Sequence, residues 1–280
     1  MPPRIPDPVY DYEVSALIRV LKRAVLDITN ELARLDLADF SRANAKATLK
    51  SVADILAGLN DEAVAWVERY VPASALDGVA RAIVDLGVAS TLEEAETIAK
   101  FNRVNKDMVA AAVADTQADI LAVTQNIDRK VRAAIRQASG ESLRANLARG
   151  TNGSRAISRD TLAAMRKTLG SAVETGIIDA AGRRWRPEVY VEMLTRTKLA
   201  QTHREATINE AVGRGALYAR ISRHNAVDAC RNYEGTIVKL TPDAPGDYRY
   251  VGDLPRREIF HPSCRHVLSP IRDPKLLAND

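Results

Sequence analysis

The chain has 280 residues, of which 46% are hydrophobic and only 5% aromatic, with a net charge of +4; this is one long or two moderate domains with enough apolar material for a core. The absence of any run of about 18 apolar residues excludes a membrane-spanning helix. Two cysteines are too few for a disulfide framework, and the opening MPPRIPDPVYDYE lacks the charged-then-apolar pattern of a secretion signal, so a chain made in a reducing cytoplasm is expected.

Scarce aromatics and abundant alanine favour helices packed through small residues, and the expected class is α+β, predominantly α. Four prolines within residues 2–10 predict an extended arm. Val14, Leu17, Ile18, Leu21, Val25, Ile28, Leu32 and Leu35 then recur at three and four, one apolar stripe of a helix of about seven turns. A second helix is expected over Phe40 to Leu56, broken by Gly58 and Asn60, and a third from Asp61, kinked or divided at Pro72. Ser90, with Glu93 three residues on, reads as a helix cap.

After a bend at Asn102 to Asn105, the positions Val109, Val113, Thr116, Ile120, Val123 and Ile127 form the seam of a bundle helix that should end near Gly140. Between Arg129 and Lys167 stand ten basic residues opposed only by Glu141 and Asp160. Such a run (Arg129, Lys130, Arg132, Arg136, Arg144 and Arg149 leading it) can neutralise phosphates in a salt-sensitive, sequence-independent way, or be an ordinary solvated face. No aromatics interleave it as a single-strand stacking site would require.

RGTNGSR, Arg149 to Arg155, marks the best boundary. The expected organisation is an arm over 1–10, a helical bundle or long-helix arm over 11–148, a basic linker with a short helix over 149–175, and a small α+β module over 176–280. Within that module GIIDAAGRRW predicts two short strands around a turn, Pro187 opens a helix that stops at Gly213 or Gly215, and LYARIS and GTIVKL predict strands. Arg196, His203 and Glu210, spaced seven apart, share one face of that helix. Arg196 suits a buried, multidentate contact.

Every histidine and cysteine lies between positions 203 and 266. His224, Cys230, His261, Cys264 and His266 offer the donor types of a tetrahedral zinc, and His261-x-x-Cys264 has the spacing of a turn that aims two ligands at one ion. The same residues can instead form a metal-free structural cluster, with histidines bonding carbonyls and thiols packed as small hydrophobes. Two enzymatic readings also stand: Cys264 as a nucleophile beside His261 or His266, and a metal-dependent nuclease using His203, His224, His261 with Asp228 or Glu205.

Taken in order over about residues 176–272, GRRW, YVEMLTRT, THREATINEAVGRG, ARISRHNAVDACRNYEGTIVKL and IFHPSCRHVLSP resemble the C-terminal region of tailed-phage minor capsid proteins. The resemblance is to the phage minor capsid protein 2 group within the Mu F-like minor head protein family. It implies a structural, non-enzymatic virion component at or near the portal vertex inside the head, assembled in the host cytoplasm and present in several copies. Its implied partners are portal protein, the capsid interior and packaged double-stranded DNA. The matching positions are Arg196, Thr197, His203, Ser222, His224, Cys230, Gly235, His261, Pro262, Cys264, Arg265 and His266. Mu F-like relatives often show a cysteine pair before the glycine and a final cysteine in HPxCRC. Here a single Cys230 precedes Gly235, and His266 stands in the last position.

Overall fold

Helix α1 (Asp11–Ala33) follows directly from the apolar stripe, with Leu17, Leu21, Ile28 and Leu32 buried along it. The computed structural model describes residues 5–37, 42–147, 159–174, 177–179 and 182–277. Among these, the remaining helices are α2 (Arg42–Asp85), α3 (Leu92–Ile98), α4 (Arg103–Leu147), α5 (Arg159–Glu174) and α6 (Pro187–Gly213). Among the described residues helices dominate and the small sheets lie from Ile177 onward, so the class is predominantly α, α+β.

Three helices, α2, α3 and α4, differ in their bounds from the sequence expectation. The breaks expected at Gly58 and Asn60 and the division at Pro72 are absent, and α2 runs through all three. Gly58 meets no neighbour within 4 Å and costs only its propensity. Asn60 leaves the turn role and accepts a hydrogen bond from the Thr124 hydroxyl at 2.8 Å. Pro72 removes one backbone donor, but it lies between Val71 and Ala75, both fully buried, so tertiary packing outweighs the local penalty. The cap of α3 is Thr91, whose hydroxyl accepts from Glu94 N at 3.1 Å while Glu94 reaches back to Ser90 N at 2.9 Å; the capping box is displaced by one residue from Ser90 and Glu93. Helix α4 passes Gly140, because buried positions continue at Val131, Ala134, Ile135, Ala138 and Ser142.

Two compact units are interleaved along the chain. One comprises residues 15–66 and 117–192. Its buried side chains come from α1, the first half of α2, the second half of α4 and α5, where Met165, Leu169 and Val173 line one face. It also carries the antiparallel hairpin of β1 (Ile177–Ile178) and β2 (Arg184–Trp185), closed by Gly182 at φ +77°.

The other unit comprises residues 1–14, 67–116 and 193–280. One of its apolar clusters joins Val79, Ile83 and Val84 of α2 to Ala95 of α3, Val109 of α4 and Ala206 of α6. Gly78 makes this approach feasible: a Cβ there would lie 2.3 Å from the carbonyl oxygen of His203. The second cluster fills the C-terminal module, from Ala211 and Ala216 through Ile221, Tyr233 and Val238 to Ile259 and Leu268. Its sheet holds β3 (Tyr218–Ile221), β4 (Ile237–Lys239), β5 (Arg249–Tyr250) and β6 (Leu268–Ile271) in the order β5-β4-β3-β6. The pairs β3·β4 and β3·β6 are antiparallel and β4·β5 is parallel.

Candidate functional site

Sheet register assembles the cysteines and histidines. Arg220 pairs with Ile237 and Ile221 with Leu268, so the residues just beyond β3, just before β4 and just before β6 meet at one end of the sheet. Ser222 N donates to Val267 O at 3.0 Å and Gly235 N to Ile221 O at 2.9 Å, prolonging the pairing by one residue. His224 and His266 therefore stack, with ring centroids 3.9 Å apart. Gly235, at φ +74°, has no room for a side chain: a Cβ would fall 2.1 Å from Arg223 Nε.

Cys230 sits in a short 3-10 turn, Ala229–Asn232, capped by Asp228, whose carboxylate accepts from Cys230 N at 3.0 Å. His261, Pro262, Ser263 and Cys264 make a tight turn closed by Cys264 N to His261 O at 2.9 Å. Pro262 occupies its second position and Ser263, at φ +63°, its third, the arrangement of a type II turn. Thr197 of α6 anchors this turn by accepting from Ser263 N at 3.1 Å.

The two sulfurs, Cys230 Sγ and Cys264 Sγ, are 3.7 Å apart and both cysteines are free. A disulfide bond would need about 2.05 Å. Cys230 Sγ lies 3.1 Å from His261 Nε2, and Cys264 Sγ lies 3.3 Å from His266 Nδ1. His266 Nε2 lies 3.2 Å from Glu234 Oε1, so the proton belongs on Nε2 and the lone pair of Nδ1 faces the sulfur. The Ala226 and His224 amides hold the Glu234 carboxyl down at about 2. Burial, and next the neighbouring His224, hold His266 below its ordinary value, so it stays neutral. Burial also pushes the Cys230 thiol up, with Cys264 adding to it. A thiol in that state is no activated nucleophile at neutral pH.

This donor set fits a zinc-type cation. Tetrahedral ligands on an ion with Zn–S bonds of about 2.3 Å stand roughly 3.8 Å apart between sulfurs, and the observed separation is 3.7 Å. Cys230, Cys264 and His266 form one three-donor group, all buried. His261, which shares a second group with Cys230 and Asp228, is the nearest further donor. Glu234 behind His266 is the carboxylate partner that orients a ligating imidazole. His224 falls in a separate group with Glu234 and His266.

The other singled-out residues have distinct places. Arg196 reaches across to Asp11 at 2.8 Å and is largely buried. His203 is 1% exposed, with Nε2 3.2 Å from Asp77 Oδ2 but too poorly aligned for a hydrogen bond. It belongs to none of the three donor groups among the described residues, unlike the other three histidines. Arg265 is exposed and lines a small cavity with Pro8, Tyr10 and Arg196.

On α4, Arg129, Arg136 and Arg144 are exposed, whereas Arg132 is tied to Asp128 at 2.7 Å. Lys130 is half-buried, and burial and then Arg184 hold its ammonium below the ordinary lysine value. Arg149 lies outside the described residues. Arg166 of α5, part of the same basic run, donates to Ala33 O at the C-terminus of α1 at 3.1 Å, a favourable place for a cation.

Sequence reasoning passed over Glu234, Asp77, Arg204 and Arg256. Glu234 had one available signal, its place immediately before a glycine that register brings to the histidines. A family model described as phage minor capsid protein 2 matches residues 40–271, which extends the match well into the helical part of the chain. Comparisons with curated proteins and with solved structures give no match.

Proposed function

Because the chain belongs to the phage minor capsid protein 2 family, we propose that it is a structural component of a tailed-phage head, placed at or near the portal vertex on the inner side. In this reading several copies contact portal protein, the capsid interior and packaged double-stranded DNA, and contribute to head assembly and genome packaging or delivery. The family match over residues 40–271 carries the reading. The exposed Arg129, Arg136 and Arg144 support the DNA contact, since they project from one helix with few opposing carboxylates nearby in sequence.

The cysteine and histidine cluster is the clasp of the C-terminal module. Cys230, Cys264 and His266, completed by His261, would hold one zinc-type cation, which would tie the segments before β4 and β6 to the turn at residues 261–264. The sulfur separation and the Glu234 carboxylate behind His266 support this ligand set. Density for this chain beside the portal in a reconstructed head tests the placement. Its absence from that region, together with failure to co-purify with a portal ring, would overturn it.

A further inference from the structure

A cavity of about 310 Å³ opens beside the clasp, lined by Thr197, Gln201 and Arg204 of α6 and by Arg256, Phe260 and His261. Arg204 is its unusual member. It is only 7% exposed, yet among the described residues it makes no ion pair and no side-chain hydrogen bond, and Glu205 acts on it only at longer range. Its one close partner is the ring of Phe260, 4.3 Å below the guanidinium carbon. Phe260 is held in the left-handed region at φ +56°, an unfavourable conformation for a bulky residue, and the turn that imposes it sets the ring under the guanidinium. Glu205, the nearest acidic neighbour in sequence, is engaged by the Gln201 amide at 2.8 Å.

A guanidinium keeps its charge even when buried, and its five N–H groups form a planar fork. Stacking on Phe260 fixes the plane of that fork but satisfies none of its donors. Arg256, exposed and likewise free of any carboxylate partner among the described residues, adds a second positive charge close enough to repel the first. Two unneutralised guanidiniums around a cavity with an imidazole and a side-chain amide are built for an anion of two charges and several oxygens. The volume exceeds that of one phosphate group and leaves room for an ester substituent.

We infer that this cavity is a binding site for a phosphate ester, with Arg204 and Arg256 as the paired anion ligands and Phe260 as the platform that orients Arg204. The site goes beyond the reading of the basic face on α4, and neither depends on the other. Phosphate-ester chemistry has two sources in a phage head, the backbone of DNA and a free nucleotide.

The test is calorimetric titration of the full chain with inorganic phosphate at low ionic strength. One saturable site is expected, weakened about tenfold or more in R256Q, where an exposed charge-assisted contact is lost without disturbing the core. R204K, which keeps the charge and loses the stacked fork, should weaken it similarly. Absence of saturable binding, or equal affinity in wild type and R256Q, would overturn the site. With phosphate bound, displacement by a DNA hairpin lacking terminal phosphates sustains the site and assigns it to the backbone. Displacement by thymidine 5′-monophosphate but not by the hairpin sustains it and assigns it to a free phosphate ester.

Discussion

Cys230 Sγ and Cys264 Sγ stand 3.7 Å apart although 34 residues separate them in the chain. Each also touches a histidine nitrogen, so the four side chains converge from the turn at Ala229–Asn232 and from residues 261–266, which share no local sequence. If a cation closes this clasp, the purified chain carries about one equivalent of zinc, measurable by elemental analysis. C230S and C264S should each lose it and lower stability by about 2–5 kcal/mol, the range for breaking a staple in a small module. A metal-free protein whose melting temperature ignores chelator would leave the cluster as a hydrogen-bonded core.

Gly78 and His203 test the helix packing of the same unit. In G78A the new Cβ would meet the His203 carbonyl at 2.3 Å and disturb the bond from the Thr207 hydroxyl to Gly78 O, now 3.1 Å. Overpacking at a backbone contact destabilises by about 1–3 kcal/mol. Thermal or urea denaturation of the full chain measures it, and an unchanged midpoint would show that α2 and α6 yield at this point.

Stability should fall as the solution is acidified. Burial works to raise the Asp77 carboxyl, but His203 and Arg81 outweigh it and hold the group below its ordinary value, as the Ala226 and His224 amides hold Glu234 at about 2. Carboxylates depressed on folding contribute stability above their unfolded values, and that contribution is lost as pH falls through the folded ones. His203 adds to the trend: burial holds it below its ordinary value, so the unfolded chain takes its proton first as pH drops below about 6.5. Melting temperatures should decline from about pH 4.5 to pH 3, where the depressed carboxylates take up protons, and a plateau across that range would contradict this account.

Asp85 runs the other way. Burial raises its carboxyl to about 6 despite a hydrogen bond with Ser269 and the charges of Arg81 and Arg220. A raised carboxyl favours the fold below its unfolded value, and the benefit is lost as pH rises through about 6. D85N, which keeps the hydrogen-bonding shape without the buried charge, should raise the melting temperature at pH 7.5 and leave it nearly unchanged at pH 4. Equal effects at both values would place the cause elsewhere than in titration.

Among the described residues, the α4 face separates cations with no carboxylate partner from one that has one. Neutralising Arg129, Arg136 and Arg144 together should weaken duplex DNA binding and reduce the salt slope by about 2–3. R132Q, whose guanidinium already serves Asp128 at 2.7 Å, should change little. Fluorescence anisotropy with duplex DNA across a salt series reads both, and an unaltered slope in the triple variant would remove α4 from the DNA contact.

Where apolar periodicity was long, the sequence was a good guide. The stripe from Val14 to Leu32 became α1, with Leu35 just past its end, Pro187 and Gly213 bounded α6, and Ile177–Ile178 paired with Arg184–Trp185 as a hairpin. Single-residue punctuation misled at Gly58, Asn60 and Gly140, and Pro72 does not divide α2, because buried neighbours and the Thr124 bond to Asn60 outweighed local preferences of about 1–3 kcal/mol. The candidate site residues split along the same line. The cysteines and histidines announced themselves by rarity, whereas Arg204, one arginine among many, gave no sign of being buried without a carboxylate partner among the described residues.

By itself, then, the sequence determined the helical character, the basic stretch of α4 and the set of candidate cysteines and histidines, since all three rest on local composition and period. Tertiary structure decided which donors meet. Antiparallel register about β3 carries His224, Glu234 and His266 to one end of the sheet. Packing of α2 on α6 takes His203 away from the donor groups and beside Asp77. Both outcomes depend on contacts between residues far apart in the chain, whose energies exist only once the backbone has brought them together.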